Sequence, residues 1–186
     1  ASILGDHQRA STLLADSLAR LRELHDDQNV AYALQQLAAA ELRRGAYDRS
    51  CALGEESLAL FRELDHKAGT VHALDTLATV VHQRGDLERA ARLRAESLAL
   101  AHEIGDARSL AFCLEALADV AIARRRPEPA ARLLGAAETV RQAIGAPLAE
   151  VDRTTYARQL PAGLQEPDRD EFAAAWAAGR ALSVEQ

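Results

Sequence analysis

The side chains of this sequence that could do chemistry are its six histidines, two cysteines and twenty-eight carboxylates. Histidine titrates near neutral pH and is the commonest metal ligand. A metal site, however, needs several ligands converging on one point. His72 and His82 stand ten residues apart on one predicted helix, nearly three turns, too far to share an ion. His72 with Asp75 at i, i+3 is the only local pairing, and it reads better as two polar surface residues. Cys51 and Cys113 have no metal-ligand spacing and read as reduced, small hydrophobes. There is no phosphate loop, no H-E-x-x-H, no G-x-S-x-G and no C-x-x-C. The reading is therefore a non-enzyme, with no catalytic residue, metal or cofactor assigned. Arg124, Arg125 and Arg126 form the strongest basic run. At a helix end they complement the dipole, as Arg43, Arg44 and Arg84 do, while Glu55 and Glu56 read as a solvated face. A net charge of −6 and a sequence pI near 5.5 argue against direct nucleic-acid binding. No apolar run approaches the roughly 20 residues that span a bilayer, and no signal peptide opens the chain.

The elements that carry these residues repeat. Laid on each other without a gap, residues 45–84 and 85–124 match at 14 of 40 positions. The register of 40 extends both ways: Gly5, Gly45 and Gly85 align, as do Ser17, Ser57 and Ser97, and Leu37, Leu77 and Leu117. Each unit reads as two helices, with apolar residues at three- and four-residue steps such as Leu74, Leu77, Ala78 and Val81. The first helices are expected over 27–44, 67–84 and 106–124, and the second over 6–25, 48–65, 86–104 and 127–144. Gly45 and Gly85 suit helix C-caps. Asp48, Asp86 and Asp106 suit helix N-termini, and Pro127 a first turn.

The pattern resembles the tetratricopeptide repeat (TPR) family. The residues that carry the resemblance are Leu34, Leu37, Ala38, Gly45, Tyr47, Ser57 and Leu58 in one unit, and Leu74, Leu77, Ala78, Gly85, Leu87, Ala90, Ser97 and Leu98 in the next. The unit is six residues longer than the common 34-residue repeat. The consensus tryptophan is leucine here, and the helix-end proline is missing. The resemblance implies an all-α fold: an α-α superhelix, a TPR-like solenoid of antiparallel helix pairs with a C-terminal helical cap. Residues 1–146 are expected to hold the repeats, as a half repeat at 6–25 and units at 27–65, 67–104 and 106–144. Residues 147–186 are expected to form capping helices and a tail. There a helix near 149–160 leads to a loop with Pro161, Gly163 and Pro167, and Asp168 caps a short helix. Phe172 and Trp176 on that helix cover the open end of the array.

The sequence lacks methionine, opens on the second helix of a unit, and ends on the capping-box spacing of Ser183 and Gln186. We therefore expect a segment of a larger protein. The tail, ARLLGAAETVRQAIGAPL followed by DEFAAAWAAGRALSVEQ, is similar to the carboxy-terminal end of bacterial multidomain regulators of the LuxR/STAND type. What that resemblance implies is a cytoplasmic sensor or interaction domain of a signalling or transcriptional regulator. A constitutive protein–protein scaffold is the alternative, and an enzyme a remote one.

In the tetratricopeptide family the first helices line the binding groove. That places three ladders there at period 40: Tyr32, His72 and Phe112; Gln35, Asp75 and Glu115; Ala39, Thr79 and Asp119; with His82 a turn further on. Such an aromatic and acidic groove would hold a protein, peptide or small effector through ring stacking and its basic groups. Alternatively the aromatic residues pack between adjacent units. A homodimer through the exposed end helix 6–25 is a further expectation; neither nucleic acid nor a membrane is.

Overall fold

The computed structural model describes residues 3–146 and 166–182. Among them are eight α-helices: α1 (Ile3–Glu23), α2 (Asp27–Arg43), α3 (Tyr47–Glu63), α4 (Lys67–Gln83), α5 (Leu87–Glu103), α6 (Ala107–Ala123), α7 (Pro127–Ala143) and α8 (Glu166–Arg180). No strand occurs among the described residues. Helices α2 to α7 are each 17 residues long, and a new one begins every 20 residues, at 27, 47, 67, 87, 107 and 127. The period of 40 is thus two equal halves, each one helix and a three-residue turn.

The turn explains the regularity. Its middle residue has a positive φ in every case: His25, Gly45, Asp65, Gly85, Gly105, Arg125 and Gly145. The amide of the residue after it donates to a carbonyl five residues back, as Ala46 does to Glu41 and Asp86 does to Val81. The middle residue's own amide donates three residues back, as Gly45 does to Leu42. These paired bonds satisfy orphan carbonyls at the helix end and form the Schellman motif. It ends each helix one or two residues before the sequence-based boundary.

The first helices start on side-chain caps at one repeat position. Asp26 accepts from the Asn29 amide at 3.1 Å and Asp106 from those of Arg108 and Ser109. Hydrogen bonds to Asn29 hold the Asp26 carboxyl below the usual carboxylate range. His66 does the same work with a ring nitrogen, Nδ1 accepting from the Gly69 amide at 2.9 Å. Asp86 caps α5 through the Arg89 amide. Asp48, expected to cap α3, lies within its first turn instead; the N-cap is Ala46, which has no side-chain cap. Pro127 opens α7.

The chain divides into two compact units within α5, residues 1–100 and 101–186. In the first, α2 packs on α1, α3 and α4. Its core holds Leu18, Val30, Ala33, Leu34 and Leu37, flanked by Leu14, Leu21, Leu53 and Leu60. Each buried leucine contributes about 1.5–3 kcal/mol. Buried serines knit α3 to α2: Ser50 Oγ donates to the Ala38 carbonyl at 2.7 Å and Ser57 Oγ to that of Ala31 at 2.8 Å. Ser97 of α5 repeats the latter bond to Val71 of α4 at 3.3 Å. In the second unit α7 lies between α6 and α8. Phe172 and Trp176 of α8 pack on a core of Ala118, Ala130 and Leu134.

Helices α7 and α8 approach closely through glycine. A Cβ on Gly135 would stand 2.2 Å from the Trp176 carbonyl oxygen, and one on Gly179 2.0 Å from that of Arg132. The expected Asp168 cap is displaced, because α8 begins at Glu166 and takes Pro167 into its first turn. No neighbouring carbonyl is deprived there, since first-turn amides have no intrahelical acceptor. The helix expected near 149–160, the loop residues Pro161 and Gly163, and the capping-box pair Ser183 and Gln186 lie outside the described residues.

Candidate functional site

The first helices α2, α4 and α6 carry the residues that sequence reasoning assigns to a groove. The structure gives them three different fates. His72 and Phe112 are exposed, the latter at 45%. Thr79, His82 and Asp119 are half-buried. Asp75 and Glu115, expected to present free carboxylates, are buried and ion-paired.

Asp75 lies inside the first unit. Its Oδ1 accepts from Arg94 Nη1 at 2.9 Å and from Ser97 Oγ at 2.8 Å. Arg94 also donates through Nη2 to Thr79 Oγ1 at 2.5 Å. The arginine is itself buried, its side chain 6% exposed against 12% for Asp75. In the second unit Glu115 is gripped by one edge of the Arg141 guanidinium, Nε donating to Oε1 and Nη2 to Oε2 at 2.7 Å. Neither carboxylate is available to the basic groups of a ligand. Gln35, at the same repeat position, is half-buried, and its Nε2 reaches Thr76 Oγ1 of α4 at 3.5 Å.

Tyr32 also turns to a neighbouring repeat. Its ring stands edge-on to Phe61 and His66, at 4.9 and 5.6 Å between centroids. Its hydroxyl is 3.2 Å from His66 Nε2. Because His66 Nδ1 already accepts from Gly69, the ring proton belongs on Nε2, which donates to the tyrosine oxygen.

The outward stripe runs one residue away from the expected ladder. Along α2 it passes Tyr32, Gln36, Ala39 and Arg43; along α4, His72, Thr76, Thr79 and Gln83; along α6, Phe112, Ala116, Asp119 and Ala123. Steps of four, three and four residues keep a helix face as well as steps of three, four and three do. Both positions 35 and 36 are glutamine, so polarity alone does not choose between them. What decides is the arginine arriving from α5 or α7, distant in sequence. Sequence reasoning missed Gln36, Thr76, Arg94 and Arg141. The available signal was that each carboxylate at position 75 or 115 has one inward arginine on a second helix.

Two further carboxylates are buried as structural anchors. Glu41 accepts from Ser11 at 2.5 Å and from Arg44 at 2.9 Å, and lies 3.5 Å from Arg49. Glu138 accepts from Trp176 Nε1 at 2.8 Å. Burial and the nearby Glu55 push the Cys51 thiol up, which keeps it protonated and poorly nucleophilic. No group of three metal-ligating side chains exists among the described residues. No described helix is long and apolar enough to cross a membrane. A shallow hollow at the α2–α3 turn, lined by Tyr47, Arg49 and Arg84 among others, lies apart from the stripe. There Arg84 is held by Asp48 at 2.8 Å. In the first unit α2 and α4 offer a mainly hydrogen-bonding strip with an exposed imidazole and, at the end of α2, Arg43; in the second unit α6 offers an exposed phenyl ring and the half-buried Asp119.

Residues 29–101 match the family model described as tetratricopeptide repeat. The repeats are tetratricopeptide-like. A crystal structure of nearly identical TPR-like repeats, from a kinesin light chain of Podosopora anserina, superposes with a TM-score of 0.70 at 18% identity. It covers 95% of this chain and 88% of that one. At that identity the likeness shows the fold. No curated protein matches the chain. Tetratricopeptide repeats commonly serve as protein-interaction modules, and the match over residues 29–101 suggests that role for those repeats.

Proposed function

We propose that the exposed stripe of α2 and α4 in the first unit binds a peptide segment of a protein partner. The observation that carries the reading is the division of labour on α4. Asp75 is neutralised internally by Arg94, while His72 is exposed and Thr76 is half-exposed one turn along from it. A strip without a free carboxylate disfavours a basic ligand. It suits a segment recognised by hydrogen bonds to imidazole, amide and hydroxyl groups. The wider role is that of a cytoplasmic sensing or interaction arm in a larger bacterial signalling or transcriptional regulator. What supports it is the likeness of the tail to such regulators. A constitutive scaffold is the second reading, and the same stripe would serve it. The molecule performs no chemistry of its own in either. Residues 147–186 act as the cap of the array, supported by the packing of Phe172 and Trp176 against the α6–α7 core.

The test is a random peptide library selected on the wild-type protein. Selected peptides are expected to bind His72→Glu and Thr76→Arg at least tenfold more weakly, about 1.4 kcal/mol. An Asp16→Arg control on α1 leaves them unchanged. Equal binding to all four proteins excludes the stripe.

A further inference from the structure

Helix α4 departs from the other first helices in how it starts. At this repeat position Asp26 and Asp106 cap α2 and α6 with carboxylates, whereas α4 starts on His66. An ionised carboxylate only accepts hydrogen bonds. A neutral imidazole accepts on one nitrogen and donates on the other. Here Nδ1 accepts from the Gly69 amide at 2.9 Å, and Nε2 stands 3.2 Å from the Tyr32 hydroxyl of α2. The opposite tautomer would set a proton on Nδ1 against the amide proton of Gly69. Nε2 is therefore the donor and the tyrosine oxygen accepts. The tyrosine's own proton is left for another acceptor. Among the described residues the hydroxyl has no second hydrogen-bond partner, and Tyr32 is half-buried at the start of the outward stripe on α2. An aspartate at position 66 would cap the helix as Asp26 and Asp106 do, and would take this proton for itself.

The surroundings hold the donor in place. Phe61, fully buried, meets the Tyr32 ring edge-on, 4.9 Å between centroids and 74° between planes. Phe61 fills the space that a side chain on Gly69 would need, since a Cβ there would overlap its ring. Thr70 Oγ1 donates to the His66 carbonyl at 3.1 Å and steadies the cap residue. A hydroxyl that accepts from a fixed donor is polarised toward giving its own proton. A group positioned beforehand also loses little freedom on binding. We propose that Tyr32 is a specificity-determining donor: through the chain Gly69–His66–Tyr32 it gives its hydroxyl proton to a main-chain carbonyl of the segment bound on the α2–α4 stripe. This rests on the reading of that stripe as a peptide site. The hydroxyl carries no charge that would favour a carboxylate, and every residue of an extended segment offers a carbonyl. The contact thus fixes the register of the segment and leaves its side chains to be read by His72 and Thr76.

The probes that test this are peptides selected from a random library on the wild-type protein, with those that lose binding to His72→Glu taken as stripe ligands. Tyr32→Phe keeps the ring and its packing, and is expected to bind them about three- to tenfold more weakly. His66→Asp is expected to weaken binding by a similar factor, with helicity unchanged by circular dichroism. Successive peptide bonds of one ligand are then replaced by esters, whose carbonyls are poorer acceptors. One position is expected to weaken binding to the wild type and to leave binding to Tyr32→Phe unchanged. Nitrogen NMR of the free, histidine-labelled protein is expected to show the His66 proton on Nε2. Peptides that need His72 yet bind Tyr32→Phe at full strength overturn the donor and leave the stripe standing as a peptide site. Peptides indifferent to both His72→Glu and Tyr32→Phe overturn the stripe and the donor together. A His66 proton on Nδ1, or an ester series with no position coupled to Tyr32, overturns the chain of hydrogen bonds to a main-chain carbonyl.

Discussion

Position 75 in the first unit and position 115 in the second occupy the same place in the repeat, and both bury a carboxylate. They are neutralised differently. Asp75 is met by Arg94 and Ser97 of α5, Glu115 by Arg141 of α7. Shifted by one repeat, the position of Arg94 is Leu134, and that of Arg141 is Ala101. Helices α5 and α7 thus each bring one arginine, at repeat positions seven residues, or nearly two turns, apart. In the preceding repeat the site is the uncharged Gln35, and the corresponding second-helix positions are Gly54 and Phe61, with no arginine. The repeat preserves charge balance at an inward polar site, and leaves the residue that supplies it free to move. A buried carboxylate that kept its place and lost its arginine would be a costly unpaired charge.

Removing one partner tests the difference most strongly. Asp75→Ala takes the carboxylate from a guanidinium whose side chain is 6% exposed, and is expected to cost about 3–5 kcal/mol in denaturant unfolding. Glu115→Ala strands Arg141, which is 21% exposed and can turn toward water. Its expected cost is smaller, about 1–3 kcal/mol. The double change Asp75→Ala with Arg94→Leu, set beside each of its single changes, removes both charges together. It is expected to lose less than half of what Asp75→Ala loses, giving a strong coupling in the double-mutant cycle. Equal losses for the two single variants, or additive behaviour in the cycle, would mean that the arginines are surface ornaments of either site.

Much of this was legible in the sequence. The period of 40, the helix pairs and the packing leucines follow from apolar spacing, because spacing records which face of a helix avoids water. The rotation of the outward stripe was not legible. Position 36 rather than 35 faces out because Asp75 and Glu115 are pulled inward by arginines 19 and 26 residues away, and a local periodicity does not contain distant partners. Helix ends were read slightly long for a related reason. Gly45 and Gly85 announce a left-handed turn, whereas His25, Asp65 and Arg125 adopt the same conformation under side chains that do not announce it.

A smaller contrast concerns the start of the first helices, where α6 uses Asp106 and α4 uses His66. His66→Ala removes the Gly69 cap and the bond to Tyr32, and is expected to cost about 1 kcal/mol. His66→Asp restores the kind of cap seen at Asp106 and should recover most of that loss. Thermal unfolding of both variants decides it. If the aspartate recovers nothing, the ring contacts with Tyr32 and Phe61 outweigh the cap, and α4 differs from α6 at this position in kind.

The smallest expected effect lies at the turn after each first helix. Gly85 in the first unit and Arg125 in the second share one repeat position, with φ of 84° and 56°. The left-handed region costs an L-residue about 1–2 kcal/mol, because its Cβ crowds the following carbonyl. Glycine escapes that cost but is more flexible when unfolded, which returns part of the difference. Arg125→Gly should therefore stabilise by up to about 1 kcal/mol, and Gly85→Ala should destabilise by a similar amount. Unfolding midpoints for the pair separate two explanations of the non-glycine turns. Opposite signs mean that the turn conformation alone sets the cost. A loss on Arg125→Gly means that the arginine's contribution to the α6 terminus, where its positive charge meets the helix dipole, exceeds the strain it carries.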